Sequence, residues 1–280
     1  MKSISLVTKF EPYVDEIFTT ESKIGLLTNK DFSWKGAKTI KIYKISTANM
    51  NDYNRDNSII GNSRYGTIQT LDATTEEMTL KKDRSFTFEI DKLDIDETLS
   101  TLSSASALSR QIREVCVPEI DKYIYGVMLE NAGNIVEPTS LNATNIYEKI
   151  IDANSTLDDA EVPENNRVLI VTPQTYLLLK KSKDIILNTN IGNELRLKGV
   201  IGILDGMNVV KVPQNRFPSD FGFLIAHPVA TVTAVKLNDF KIHKDPPGIS
   251  GDLVEGRLVY DAFVLENKKK AIFYQKKIIG

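Results

Sequence analysis

The chain has few of the residues from which most enzyme and metal sites are built. Its 280 residues include two histidines, His227 and His243, and one cysteine, Cys116. A lone cysteine cannot form an internal disulfide, and a thiol nucleophile needs a histidine to activate it. Neither histidine lies in a recognisable catalytic setting. Flanked by Val115 and Val117, Cys116 reads as a small buried apolar side chain. Zinc requires three or four good ligands, and two separated imidazoles with one thiol do not supply them. No run reaches the roughly 18–20 uncharged apolar residues of a membrane span. The opening MKSISLVTKFEPYVDE meets acids and a proline too early for a signal peptide, so nothing in it directs export from the cytoplasm of the cell that makes it. An excess of one charge is also missing: 35 basic residues face 37 acidic ones, for a net charge of −2. That balance argues against a dedicated duplex-DNA binder, whose affinity rests on a positive field.

Several motif-like stretches fall short once their chemistry is spelled out. Asp91, Asp94, Asp96 and Glu97 suggest calcium, but a helix–loop–helix calcium site needs a glycine at its sixth position and a distal bidentate glutamate. Here Leu99 follows and the glycine is absent. The cluster reads instead as a strand-to-helix junction, with Asp96 as N-cap and Glu97 favourable in the first turn. Asp158, Asp159 and Glu161 lie in a loop before Pro163 and read as solvated. The glycines of GVIGILDG, Gly199 to Gly206, match neither the phosphate-binding loop nor the dinucleotide fingerprint. His227 precedes a proline with no nucleophile elbow nearby, so a half-buried, hydrogen-bonded imidazole is expected. His243 sits in a polar approach to a turn. The lysines of Lys180–Lys181–Ser182–Lys183 and Lys268 to Lys270 read as solvated charges. The sequence offers no catalytic residue, cofactor site or metal site.

What is present is a globular composition, 41% hydrophobic and 26% charged, on a chain long enough to bury a sizeable core. Residues 1 to 30 show no sustained period and look like an arm. KTIKIYKIS alternates at first and is expected to slip near Tyr43. MNDYNRDNSIIGNSRYG reads as an exposed turn region. RSFTFEID alternates strictly, with Phe86, Phe88 and Ile90 on one face, which is a half-buried strand. Residues 31 to 90 are therefore mostly extended and short of apolar residues. Two arms of about 15 residues at ~3.3 Å each would reach roughly 50 Å, and so long a protrusion needs another surface to rest on. Trp34 is expected to anchor its start.

An amphipathic helix follows, carrying Leu99, Leu102, Ala105, Leu108, Ile112 and Val115 on one stripe. Pro118 should kink or interrupt it, after which it runs to a stop at Gly133. NIYEKIIDA reads as a helix. RVLIVTP reads as a buried strand entering a helix capped by Thr172 with Pro173 in its first position. MNVVKVP, FLIA, VATVTAV and KIHK read as further strands. The stretch YDAFVLENKKKAIFY, Tyr260 to Tyr274, reads as a closing hairpin around a lysine turn, which needs a sheet to lie against.

The order of these pieces carries a resemblance. WKGAKTIKIYKI, an Asn/Asp-rich turn, and KKDRSFTFEIDKLDIDET are similar to the extended-loop segment of tailed-bacteriophage major capsid proteins. REVCVPEIDKYIYGVM resembles their spine helix, and Phe221 to Phe273 resembles their closing strands. The likeness runs from about Glu11 to Phe273, with its loosest stretch at Asn188 to Lys198. It implies an α+β chain with the Hong Kong phage capsid fold, also called the Johnson fold. The implied map has an N-terminal arm at 1–30, an extended β-hairpin loop at 31–90 and an α/β axial domain at 136–224. A peripheral domain, with the long spine helix and β-sheet, takes 91–135 and 225–280. The closing hairpin would join the peripheral sheet beneath the spine helix.

On that resemblance the function is assembly rather than catalysis. Copies would form pentamers and hexamers of an icosahedral virion shell, put together in the host cytoplasm around double-stranded DNA held without sequence-specific binding. Closed shells repeat the same patches, and many weak contacts multiply. Candidate subunit-interface residues are Trp34, Arg55, Arg64, Lys81, Lys82, Asp83 and Arg84 in the loop, with Arg257 and Asp261 near the closing stretch. The implied partners are other copies of the chain, a separate scaffolding protein, a portal and decoration proteins. No cofactor and no membrane are implied. The main alternative is the shell of an encapsulin-type compartment. More distant ones are a soluble hydrolase with an unrecognised site and a tail-tube or adhesin module.

Overall fold

The computed structural model describes residues 22–29, 31–32, 34, 38–53, 55, 63–93, 103–183 and 202–278. The chain divides into two compact units, Trp34–Leu80 and the remainder.

In the smaller unit, β1 (Thr39–Ile45) and β2 (Ala73–Thr79) form an antiparallel pair running from Thr39 opposite Thr79 to Ile45 opposite Ala73. The ladder with β2 runs unbroken past Tyr43, where the apolar–polar alternation of the sequence slips. Lys44 takes a half-buried place, with its ammonium 3.0 Å from Glu76. Tyr43 and Ile45 consequently fall on the open face, 73% and 68% exposed. Beyond the strands, Ser46 and Asp72 continue the pairing at 2.9 Å. Tyr53 and Tyr65 then meet edge to face at 5.2 Å.

In the larger unit, β3 (Lys82–Asp91), β9 (Thr231–Lys244) and β10 (Gly251–Val264) make an antiparallel sheet in the order β3-β10-β9. A helical rod packs on β10. It consists of α1 (Ser104–Gln111), a π turn (Ile112–Cys116) and α2 (Val117–Glu130). The expected cap Asp96, its neighbours Asp94 and Glu97, and Leu99 and Leu102 lie outside the described residues. The described helix starts at Ser103, whose hydroxyl accepts the Ser106 amide.

Pro118 does not interrupt the rod. A proline in a helix has no amide to give and crowds the carbonyl four residues back. The π turn just before it widens the spiral, and the Val117 amide reaches Ile112 five residues back. The turn also resets the buried stripe. Leu108, Ile112, Cys116, Ile120, Ile124 and Met128 are buried at steps of four. In a plain α-helix such steps drift by about 40° each, and the π turn takes up part of that drift. Val115, expected on the stripe, is accordingly 46% exposed, and Cys116 faces the core.

Gly133 is not the helix stop. The rod ends at Asn131, and Gly133 is instead where backbones nearly touch: a Cβ there would lie 2.5 Å from the Lys269 carbonyl carbon.

The second sheet has six strands in the order β4-β11-β8-β5-β7-β6. These are β4 (Asn134–Thr139), β5 (Val168–Val171), β6 (Ile203–Leu204), β7 (Met207–Lys211), β8 (Phe221–Ala226) and β11 (Ile272–Lys277). Two helices accompany it, α3 (Ile146–Asp159) and α4 (Pro173–Lys181). As expected, Thr172 caps α4 by accepting the Thr175 amide at 3.2 Å. Every residue of β5 and β8 is buried, which is why both read as unbroken apolar runs.

The closing hairpin is a correction. β10 and β11 do not pair. β3 and β9 flank β10 as far as Tyr260, and Asp261–Val264 pair with β9 alone. The segment Glu266–Ala271 forms a 3₁₀ turn that carries the chain into the other sheet, where β11 lies between β4 and β8. The Lys269 and Lys270 carbonyls accept the Gly133 amide and the Asn134 side chain, each at 2.9 Å.

Candidate assembly surfaces

Residues 81–84, Lys-Lys-Asp-Arg, are where the chain enters the larger unit, and each of the four is fastened there. The Lys81 amide donates to Asp261 Oδ2 at 2.7 Å. The Lys82 ammonium stands 4.8 Å over the Tyr123 ring. Asp83 accepts Nε and Nη2 of Arg257, at 3.0 and 2.6 Å. Arg84 Nε donates to Glu119 Oε1 at 2.8 Å. These residues, with Arg257 and Asp261, are among those the sequence offered as contacts to a neighbouring copy; here Lys81 meets Asp261 and Asp83 meets Arg257, while Lys82 and Arg84 meet Tyr123 and Glu119 of the same chain.

Asp261 is the buried member of this group, 2% exposed. The β3–β10 ladder ends at Lys82 opposite Tyr260, which leaves the next amide, that of Lys81, without a strand partner. The Asp261 carboxylate takes it. Its Oδ1 also accepts the Tyr123 hydroxyl at 2.7 Å and the Ala262 amide at 2.8 Å. Burial first, and then the bond to Asp261, push the Tyr123 hydroxyl well above its ordinary pKa. Tyr260 is pushed up to about 12, by burial and then by the Glu119 carboxylate that its hydroxyl meets at 3.3 Å. The Arg257 hydrogen bonds lower the Asp83 pKa, and the same contact raises that of Arg257.

Trp34 is buried, whereas Arg55 and Arg64 are exposed and make no ion pair among the described residues. Around the last two, Met50, Tyr65 and Ile68 are 97%, 78% and 87% exposed. Those apolar side chains, with Tyr43 and Ile45, give the smaller unit an open greasy surface that its own two strands do not cover. Sequence reading of this stretch emphasised the charges and passed over these residues.

It also missed the helix partners of the root, Tyr123 and Glu119, because nothing local in DKYIYG or VPEID announces a contact made by distant residues. Two buried networks were missed for the same reason. Arg167, 1% exposed, bonds the Asn154 side chain at 2.6 Å and Asp158 at 2.7 Å, so Asp158, expected to be solvated, is an ion-pair partner. Asp121 accepts Ser22 Oγ at 2.7 Å and pairs with Arg216. Burial raises its pKa against the lowering effect of both partners. Ser22, with buried Ile24 and Leu27, ties the described part of the expected arm to the core.

Among the described residues no cluster of His, Cys, Asp or Glu is placed to hold a metal ion. His227 is half-buried, its Nδ1 accepts the Val229 amide at 3.1 Å, and burial is the main cause of its lowered pKa. The Cys116 thiol is pushed up to about 11, by burial and then by Glu119.

Comparison with family models and with curated proteins finds no match. Solved structures do match over nearly the whole chain. A structure from Mycobacterium phage Che8 aligns with a TM-score of 0.73 at 17% identity, covering 92% of this chain and 90% of its own. The capsid of Cyanophage P-SCSP1u aligns at 0.70 and 15% identity, covering 91% and 87%. A virus-like particle from Pyrococcus furiosus aligns at 0.58 and 12% identity, covering 97% and 100%. The chain has the Hong Kong phage-type capsid fold, with a long helix laid on a sheet and a second, larger mixed sheet.

Proposed function

We propose that the chain is the major capsid protein of a tailed double-stranded DNA phage, a structural subunit that assembles with copies of itself into a closed shell. The observation that carries this reading is the end-to-end likeness to phage capsid structures, at TM-scores up to 0.73 over about nine-tenths of the chain. The exposed apolar surface of residues 34–80 supports it, since a two-stranded pair is marginal alone and a neighbouring copy supplies the missing cover. In this reading 34–80 lies within the extended loop, the helical rod is the spine, and the copies group as pentamers and hexamers. Scaffolding, portal and decoration proteins, and DNA held without sequence readout, complete the assembly. The chain's work is done by contact and needs no catalytic step.

A compartment shell is the second reading, because the Pyrococcus furiosus virus-like particle shares the fold. Its TM-score of 0.58 against 0.73 and 0.70 makes the phage reading the better supported one.

The test replaces residues 46–72 with a two-residue Asn-Gly turn. The parent protein should give closed shells by electron microscopy. The shortened one should keep its circular dichroism and melting transition yet stay unassembled. Shells of normal size from the shortened protein would sink the proposed role of the loop, and a parent that never assembles under any crowding or salt condition would sink the capsid reading itself.

A further inference from the structure

We infer that Asp261 is a positioning residue for assembly: its buried carboxylate clamps Lys81, the first residue after the smaller unit, to the spine helix, so that the chain enters the larger unit at one fixed point. The inference rests on the capsid reading and adds to it a residue that acts through contacts within one chain.

Four consecutive residues at the root, 81 to 84, are each held by a different group. Two of the four contacts are solvent-exposed. The Arg257–Asp83 and Arg84–Glu119 pairs have side chains 43–61% exposed, and pairs so open are screened and hold weakly. The Lys82 ammonium over the Tyr123 ring is a half-buried cation–π contact. Asp261 differs in kind. It is almost completely buried and gathers three donors from three places in the chain: the Lys81 amide at the root, the Tyr123 hydroxyl on α2 and the Ala262 amide on β10. Hydrogen bonds to a buried charged group are about twice as strong as neutral ones, and removing the acceptor strands the others without partners. The clamp also sits where the ladder ends, so no strand pairing holds Lys81 in its place. A shell needs every copy to present its loop from the same point. Loss of the clamp therefore acts on closure before it acts on the fold.

The test compares Asp261→Asn and Tyr123→Phe with Ile150→Val, a conservative change in the core of α3 far from the root in sequence. Each protein is examined for melting temperature, for hydrogen exchange at the Lys81 amide, and for yield and diameter of shells. In the parent the Lys81 amide should be protected. Both root variants should release that amide, and Asp261→Asn should lower the yield of correctly sized shells by about tenfold, since small losses multiply over many contacts. Ile150→Val, at an equal or lower melting temperature, should still assemble. An unprotected Lys81 amide in the parent overturns the inference, as do normal shells from Asp261→Asn. Should Asp261→Asn fail to fold, Tyr123→Phe decides: it keeps the carboxylate, removes one leg of the clamp, and must still give irregular or fewer shells. A parent that forms no shells removes the capsid reading and this inference with it, whereas a normal parent with normal variants removes the inference alone.

Discussion

The two units of this chain solve opposite problems. In the larger one, β5 and β8 are buried residue by residue, and aromatic stacks such as Phe217 on Phe221 at 3.8 Å fill the space between elements. In the smaller one, β1 alternates between exposed and half-buried places. Trp34, Met78 and Leu80 are buried, but Tyr43, Ile45, Met50 and Ile68 are exposed, and its ion pairs, Lys41–Glu77 and Lys44–Glu76, are ones that water can reach. The larger unit is finished as a fold. The smaller is unfinished by the ordinary criterion that apolar surface must be buried, and that incompleteness is what a subunit built to meet copies of itself would carry.

The contrast can be broken, most drastically, from inside the larger unit. Phe223→Ala empties a fully buried site in β8 beside Phe273 and is expected to cost about 3–5 kcal/mol, read as a large drop in the denaturation midpoint; a cost under ~1 kcal/mol would show the core to be looser than described. The smaller unit should behave in the reverse manner. Tyr43→Ser with Ile45→Ser should change subunit stability by no more than roughly 0.5 kcal/mol while abolishing shells in sedimentation. Unchanged shells would mean that the open face of β1 is not a contact surface.

A finer distinction uses pH. His227 is kept neutral by burial, so its pKa is lower folded than unfolded. The unfolded chain then binds more protons as pH falls below about 6.5. Stability should therefore decline from that point and level off once pH passes below the folded pKa. His227→Asn, which can still accept the Val229 amide, should flatten this component in melts between pH 7.5 and 5; a variant with the same slope as the parent would assign the titration elsewhere. The smallest effect is expected at the exposed Arg257–Asp83 pair, where Asp83→Asn should leave the melting temperature unmoved at moderate salt, consistent with its screening.

The fold was legible wherever local pattern and tertiary demand agree. The alternation of Phe86, Phe88 and Ile90, the Thr172–Pro173 helix start and the apolar runs of β5 and β8 all carry their structure in a few adjacent residues. The order of segments carried the family likeness. What could not be read depends on who is next to whom. Tyr260 to Tyr274 has every local mark of a hairpin, yet its first arm pairs with β9 and its second lies between β4 and β8 in the other sheet. Cys116 is buried as its sequence context suggested, whereas Val115 is turned outward within the widened π turn, whose phase no local pattern announces. The charges of 81 to 84 and Asp261 stood out in the sequence, but sequence alone does not show the partners they find in the same chain, such as Asp261 for the Lys81 amide.

The placement of β11 has a consequence for timing. It fills a slot between β4 and β8, two strands that the ribosome delivers long before it. Until β11 is made, both flanking strands keep an open edge, so the six-stranded sheet joins into one piece only after a strand far along the chain has been synthesised.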